Sequence, residues 1–406
     1  MKMMQQSKRV TLTLVILATV GQAVFGADWP CYRGPDHNGI SQETDWNSSW
    51  GEAGPKVLWK KSVGMGFSTT AVADGRVYTM GNSGKDTNID TVFCFDAQTG
   101  QELWKHSYSC PLQAKYYDGG TLSTPTVDAG KVYTLSKMGD FFCLDAKSGA
   151  VLWQKQLNKD MGFELPTWHF SSSALIVDDK VVLNIGAAGL ALNKNTGGIV
   201  WQSGKDKCGY STPVPFTMDG KPGIALFGEV TVAAVSPADG KQLWQYPWKT
   251  KYEVNAPDPI IVGNQVFISS GYNRGCSLLG INGSEVTKIW ENKVMAMQIN
   301  CPILRDGYVY GFDENVFKCL KLQDGSQQWQ EKSLGKGSLM MSADGRLILT
   351  SDEGELVVAK TDPQKFDVLA RAKVLPKALC WTSPVLANGR IYLRNTPGDF
   401  VCVDVK

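Results

Sequence analysis

Imidazole chemistry has few places to sit in this chain, which holds only three histidines: His37, His106 and His169. His169 follows Trp168, with Glu164 just upstream and Asp118 in an earlier loop. Two carboxylates meeting a histidine would support metal binding or proton transfer. No nucleophile stands at a spacing that pairs with His169, so nucleophilic catalysis has no support. His169 reads as a hydrogen-bonded structural histidine, and we assign no catalytic residue and no metal ligand. P-loop, dinucleotide-binding, HExxH and GxSxG signatures are missing from the sequence.

A broader set of residues carries a binding argument. Lys115, Tyr116, Tyr117, Trp168, His169, Lys207, Tyr210, Asn255, Asn300, Lys336 and Trp381 stand at comparable points of a repeat, just before or at the start of its first strand. In a ring of repeats these points converge on one axial funnel. Basic, aromatic and amide groups meeting there suit an anionic or carbohydrate-like ligand. The plainer alternative is that they plug and solvate the mouth of the channel.

The ten cysteines are the other reactive groups. None forms a CxxC pair or a Cys/His cluster, so a zinc site has no support. Cys94, Cys143, Cys319 and Cys402 share one repeat position with Ala191, Ala234 and Ala359. That position needs a small buried side chain, and free cysteine serves as one. Equivalent positions in different repeats lie too far apart to bridge. Cys31, Cys110, Cys208, Cys276, Cys301 and Cys380 leave room for one or two disulfides, whose pairing the sequence does not decide.

The elements that position these groups come from the repeat itself. Cys94 to Trp104 reads CFDAQTGQELW, and the pattern returns as CLDAKSGAVLW, ALNKNTGGIVW, AVSPADGKQLW and CLKLQDGSQQW. Each unit opens with Ser/Thr-Pro or a similar pair, then a strand, a turn such as Asp74-Gly75 or Asn388-Gly389, and a second strand. A third strand, a Thr-Gly turn and a fourth strand carrying the Trp complete it. The Trp or its substitute falls at positions 59, 104, 153, 201, 244, 290, 329 and 369. A period of roughly 40 to 50 residues with four strands indicates a β-propeller. The hairpin openings number eight, so the expected fold is all-β, an eight-bladed propeller of four-stranded antiparallel blades spanning 56–406.

The ends suggest closure. The last repeat stops at Cys402-Val403-Asp404-Val405-Lys406 without a Trp strand, and Val57-Leu58-Trp59-Lys60-Lys61 has a Trp but no preceding hairpin. The N-terminal strand should therefore complete the C-terminal blade. Two repeats depart from the pattern. Gly280 to Trp290 has Val286 in place of the turn glycine, and Ala359 to Leu369 has Lys365 for Gly and Leu369 for Trp. Both blades are expected to be less regular.

Residues 1–26 have a positive start, a short apolar run over Val10–Val20, and small residues at Val24 and Gly26. They read as a secretory signal peptide cleaved after Gly26, which makes the mature protein exported, periplasmic or secreted, with no later membrane span. Residues 27–55 form an irregular arm rich in turn formers, pinned by Trp29, Tyr32 and Trp46. The 41 basic and 39 acidic residues nearly balance, leaving no footprint for nucleic acid. A monomer is expected.

The repeat resembles the tryptophan-docking motif of the pyrroloquinoline quinone (PQQ) type propellers, A-x-D-x-x-T-G-x-x-x-W. Asp96, Thr99, Gly100 and Trp104 match it, as do Asp145, Gly149 and Trp153. The resemblance implies that each Trp stacks on a turn glycine of the neighbouring blade. The docking set would be Trp59, Gly100, Trp104, Gly149, Trp153, Gly197, Trp201, Gly240, Trp244, Trp290, Gly325 and Trp329. That family spans quinoprotein alcohol dehydrogenases and non-enzymatic relatives such as BamB. Its dehydrogenases hold PQQ and Ca²⁺ on the axis with a catalytic Asp, a Glu/Asn/Asp set and often an adjacent Cys-Cys pair. This chain has no such pair and short inter-blade loops. The favoured reading is a BamB-like, non-catalytic scaffold without cofactor that presents its funnel and loops to a protein partner or small ligand. A PQQ-dependent dehydrogenase and a carbohydrate-binding accessory protein are the alternatives.

Overall fold

The structure, a computed structural model, describes residues 27–51, 53–114 and 117–406. The expected signal peptide lies outside the described residues, as do Lys115 and Tyr116.

Strand burial explains the architecture. The second strand of the first unit, Arg76–Asn82 (RVYTMGN), is buried along nearly all its length, whereas the fourth, Glu102–Ser109 (ELWKHSYS), alternates between exposed and buried residues. A strand covered on both faces reads as a near-continuous apolar run, and one with a wet face alternates. Each unit therefore packs between two neighbours by its inner strands and meets solvent by its outermost one. The result is eight antiparallel blades, which we number 1 (71–109), 2 (126–156), 3 (175–202), 4 (214–247), 5 (260–292), 6 (303–331), 7 (338–373) and 8 (385–404). Blade 8 takes its outer strand from the other end of the chain: Lys56–Ser62 pairs antiparallel with Asp399–Asp404. The ring thus closes by the N-terminal strand, and no blade is left with an open inner junction.

The small first position of the repeat has a direct cause. Cys94, Cys143, Ala191, Ala234, Cys319 and Cys402 are the cross-strand partners of Trp104, Trp153, Trp201, Trp244, Trp329 and Trp59, each beside a bulge. A small residue opposite the indole leaves it room to lean towards the next blade. There it meets the turn glycine. A Cβ built on Gly100, Gly149, Gly197, Gly240 or Gly325 would lie 2.5–2.8 Å from the nearest neighbouring side-chain atom; that neighbour is Trp59, Trp104, Trp153, Trp201, or Asn292 alongside Trp290. The indole N–H groups donate to carbonyls of the same turns, as Trp59 does to Ala97 (3.2 Å) and Trp104 to Ala146 (3.0 Å).

Two blades correct the sequence reading. Blade 5 is more regular than expected. Its outer strands, Gly275–Asn282 and Glu285–Asn292, run eight residues each around a tight turn at Gly283. Trp290 pairs with Leu278, not Gly280. Because that turn is tight, it offers Trp244 no docking carbonyl, and the buried Trp244 N–H has no partner among the described residues. In blade 7 the bulge skips Leu369, which is exposed, and Ala370 takes the tryptophan's place opposite Val358. The arm fills the gap: Trp46 and Trp50 join Val358, Ala372 and Val405 in one apolar cluster.

The room the sequence leaves for one or two disulfides is not used. All ten cysteines are free and buried. Three of the six candidates make other contacts. The Cys31 thiol donates to Gly34 O (3.1 Å), Cys276 to Asn292 Oδ1 (3.3 Å), and Cys301 contacts the Tyr32 hydroxyl (3.4 Å). Burial pushes the thiols of Cys208, Cys276 and Cys380 up to about 12, so they stay protonated and inert.

Candidate functional site

The axis of the ring is held by a relay of side chains at the openings of the blades. The Thr69 N–H donates to Thr124 Oγ1 (3.1 Å), Thr124 N–H to Ser173 Oγ (2.9 Å), and Ser173 N–H to Thr212 Oγ1 (3.2 Å). Thr212 N–H donates to Asp258 Oδ1 (2.8 Å), and Asp258 N–H to Cys301 Sγ (3.1 Å). Asn300 Nδ2 then reaches Gly337 O, Ser338 Oγ donates to Thr382 O (2.6 Å), and Thr69 Oγ1 donates to Ser383 O (2.8 Å). Every junction of the ring carries one such bond. The sequence signal was the residue before each opening proline, as in Thr124-Pro125, Thr212-Pro213, Asp258-Pro259 and Cys301-Pro302. Proline starts a strand without demanding a ladder partner for its missing N–H, and the residue before it faces the axis.

The arm closes on this hub. It pairs with blade 1 through Trp29 and Val72, and with blade 7 through Ile40–Ser41 against Met341 and Ser342. Between these anchors Arg33 donates to Pro302 O (2.9 Å) and lies 3.8 Å from Asp258 in a buried ion pair. Burial raises the Asp258 carboxyl to about 6, against the lowering effect of Arg33. Sequence reasoning named Tyr32 as an anchor of the arm but missed Arg33 and Asp258, because the partners are remote along the chain.

Above the hub lies a cavity of about 250 Å³. Phe67 stacks on Trp381 (centroids 5.4 Å, 25°) and lies 5.7 Å from Tyr117, which meets Trp168 edge-on at 6.0 Å. Tyr210 accepts the Trp168 backbone N–H at 3.1 Å. The Tyr117 hydroxyl and the Trp381 indole N–H are buried without a hydrogen-bond partner among the described residues. Gln298 donates to the Tyr272 hydroxyl (2.7 Å) at the same cavity.

Of the residues singled out from sequence, Tyr117, Trp168, Tyr210, Asn300 and Trp381 line this cavity. Lys336 stands beside it, 4.8 Å from the Trp381 ring centre and 3.3 Å from Glu314. Desolvation lowers its ammonium from the ordinary lysine range, and Glu314 opposes the shift. Lys207 lies 3.8 Å from Glu229. Asn255 is a fully buried peg between blades, donating to Gly228 O and Glu229 O (3.0 Å each) and accepting from Ser270 Oγ (2.7 Å). His169 follows Trp168 with a left-handed backbone (φ 69°), its N–H donating to Pro166 O at 2.9 Å. Lys115 lies outside the described residues.

These residues do not fit PQQ with a calcium ion. Among the described residues no group of three or more His, Cys, Asp or Glu is placed to hold a metal. Asp258 is the carboxylate at the cavity wall, and Arg33 and the Thr212 N–H already engage it, while its backbone N–H donates to Cys301 Sγ. Among the described residues no helix is long and apolar enough to cross a membrane.

A family profile described as outer membrane protein assembly factor BamB matches residues 88–331. Outer membrane protein assembly factor BamB of Yersinia pestis is 23% identical over 375 residues, covering 85% of this chain and 87% of that protein. A quinoprotein ethanol dehydrogenase of Pseudomonas aeruginosa is 28% identical over 197 residues, covering 44% of this chain and only 30% of the dehydrogenase. Among solved structures, BamB from Moraxella catarrhalis superposes with a TM-score of 0.63 at 15% identity, over 86% of this chain and all of that one.

Proposed function

From the premise that this chain belongs to the outer membrane protein assembly factor BamB family, we propose that it is an exported, non-catalytic propeller scaffold whose faces and loops hold a protein partner. The observation that carries the reading is the donor set of the axis. The hub carboxylate is spent on an ion pair with Arg33 and a hydrogen bond from the Thr212 N–H, which supports a structural rather than a catalytic hub. The extent of the likeness supports it too, reaching 87% of a BamB but 30% of a quinoprotein dehydrogenase. Rigid rings with exposed loops make good recognition surfaces. By analogy with its relatives' names, the partner would be a component of outer-membrane assembly in a bacterium's periplasm.

Two experiments test this. Purified protein loaded with PQQ and Ca²⁺ is assayed with alcohols and sugars for dye reduction, and no turnover is expected. Substrate-dependent reduction would overturn the scaffold reading in favour of a dehydrogenase. Sequencing the amino terminus of the exported protein should find Ala27 first; a retained leader would refute the cleavage.

A further inference from the structure

We infer that the axial cavity is a binding site for a neutral carbohydrate, one or two sugar rings in size. Three observations set its chemistry. The first is the aromatic wall of Trp381, Phe67, Tyr117 and Trp168, in contact one after another. Flat aromatic faces pack against the C–H faces of a pyranose ring while leaving its hydroxyls at the edge. The second is the pair of buried donors on that wall, the Tyr117 hydroxyl and the Trp381 indole N–H, neither with a partner among the described residues. A buried donor without a partner costs about 1–3 kcal/mol, so a ligand that supplies acceptors is favoured over a purely apolar one. The third is the floor, where one lone pair of Thr124 and one of Thr212 accept backbone N–H groups of the relay. A hydroxyl has a further lone pair and its own proton to offer.

Charge decides between a neutral and an anionic occupant. Among the described residues, the one charged group that lines the cavity, Asp258, is paired with Arg33, and beside it Lys336 is paired with Glu314 and Lys207 with Glu229. None of these three cations is free to balance a carboxylate or phosphate. Size restricts the ligand further. At about 250 Å³ the cavity falls just below the roughly 300–1,000 Å³ of sites for drug-sized ligands. A chain end or a disaccharide fits that space better than a large cofactor. The inference goes beyond the scaffold reading and does not depend on it. A propeller that holds a protein by its faces can take a sugar in its bore, so failure of one leaves the other standing.

The test is calorimetric titration of the full mature chain with glucose, galactose, N-acetylglucosamine and maltose at millimolar concentrations. Glucuronate serves as the anionic control, and PQQ with Ca²⁺ as a rival ligand. Saturable binding of at least one neutral sugar is expected. Tyr117→Phe keeps the ring and removes the orphan hydroxyl, and should weaken that binding roughly two- to tenfold, the loss of one hydrogen bond. Trp381→Leu should abolish it. Near-ultraviolet dichroism confirms that both variants remain folded. The inference is overturned if no neutral sugar binds, if glucuronate binds more tightly than glucose, if PQQ alone binds, or if Tyr117→Phe binds like the parent.

Discussion

Gly130 and Gly149 offer a controlled measurement of what one tryptophan dock contributes. Both have φ of 74°, in the left-handed region. A Cβ on Gly130 would meet nothing within 4 Å, whereas one on Gly149 would lie 2.6 Å from the Trp104 ring. Alanine at either site carries the left-handed backbone cost of about 1–2 kcal/mol. At Gly149 the methyl also displaces Trp104, an overpacking cost of about 1–3 kcal/mol. The Trp104 N–H bond to Ala146 O at 3.0 Å lies in the same contact and is strained with it. Gly149→Ala should therefore destabilise by about 2–5 kcal/mol and Gly130→Ala by about 1–2 kcal/mol. Equilibrium urea unfolding compares their midpoints. In a Trp104→Ala background the two glycine substitutions should become equivalent, because the obstruction is gone. Equal midpoints in the parent background, or an undiminished gap in the Trp104→Ala background, would refute the docking argument.

Further outcomes follow from other parts of the ring. Trp244→Phe should cost about 1 kcal/mol less than Trp104→Phe by thermal unfolding, because only the Trp104 N–H has an acceptor to lose. Arg394 is buried and donates to Ser68 O (3.0 Å) and Met80 O (2.6 Å) of blade 1 and to Gly64 O (3.0 Å), fastening the closing blade to the first. Arg394→Met strands those carbonyls and should lower stability by about 3–5 kcal/mol, read by denaturant midpoint. Asp258 titrates at about 6 when folded and at about 3.9 when unfolded. A raised carboxyl favours the folded state while protonated, so its contribution is full below about pH 4 and is lost as pH rises through about 6. Asp258→Asn should remove that slope from a stability-against-pH series; an unchanged slope would reject the assignment.

Much of the fold was legible because its signals are local. The turn glycine, the small residue and the Trp sit within one hairpin, and the hairpin recurs. A periodic apolar pattern leaves few ways to bury itself other than by stacking on copies of itself. Blade 5 escaped that reading because Val286 marks a change of turn type, which moves the partner of Trp290 from Gly280 to Leu278. The cavity was legible in part. Its aromatic residues precede the first strands of their blades, so register alone brings Tyr117, Trp168, Tyr210 and Trp381 to the axis. Register could not say that Asn255 turns inward as a peg, or that Lys207 and Lys336 spend their charge on Glu229 and Glu314.

The sequence by itself determined the number of blades, their four-strand build, the small residue opposite every docking tryptophan but Trp290 and the closure of the ring, since each follows from side-chain size and spacing within one repeat. Only the tertiary structure decided how the hub is used. Tyr32 meets Cys301 across 269 residues of chain, and Arg33 meets Asp258 beside them. Contacts of that kind leave no periodic trace, because they depend on where the arm settles once the ring exists. They turn Cys301 into a hydrogen-bonded thiol and Asp258 into a buried ion-pair partner, leaving no unpaired charge among the described residues that line the aromatic cavity above them.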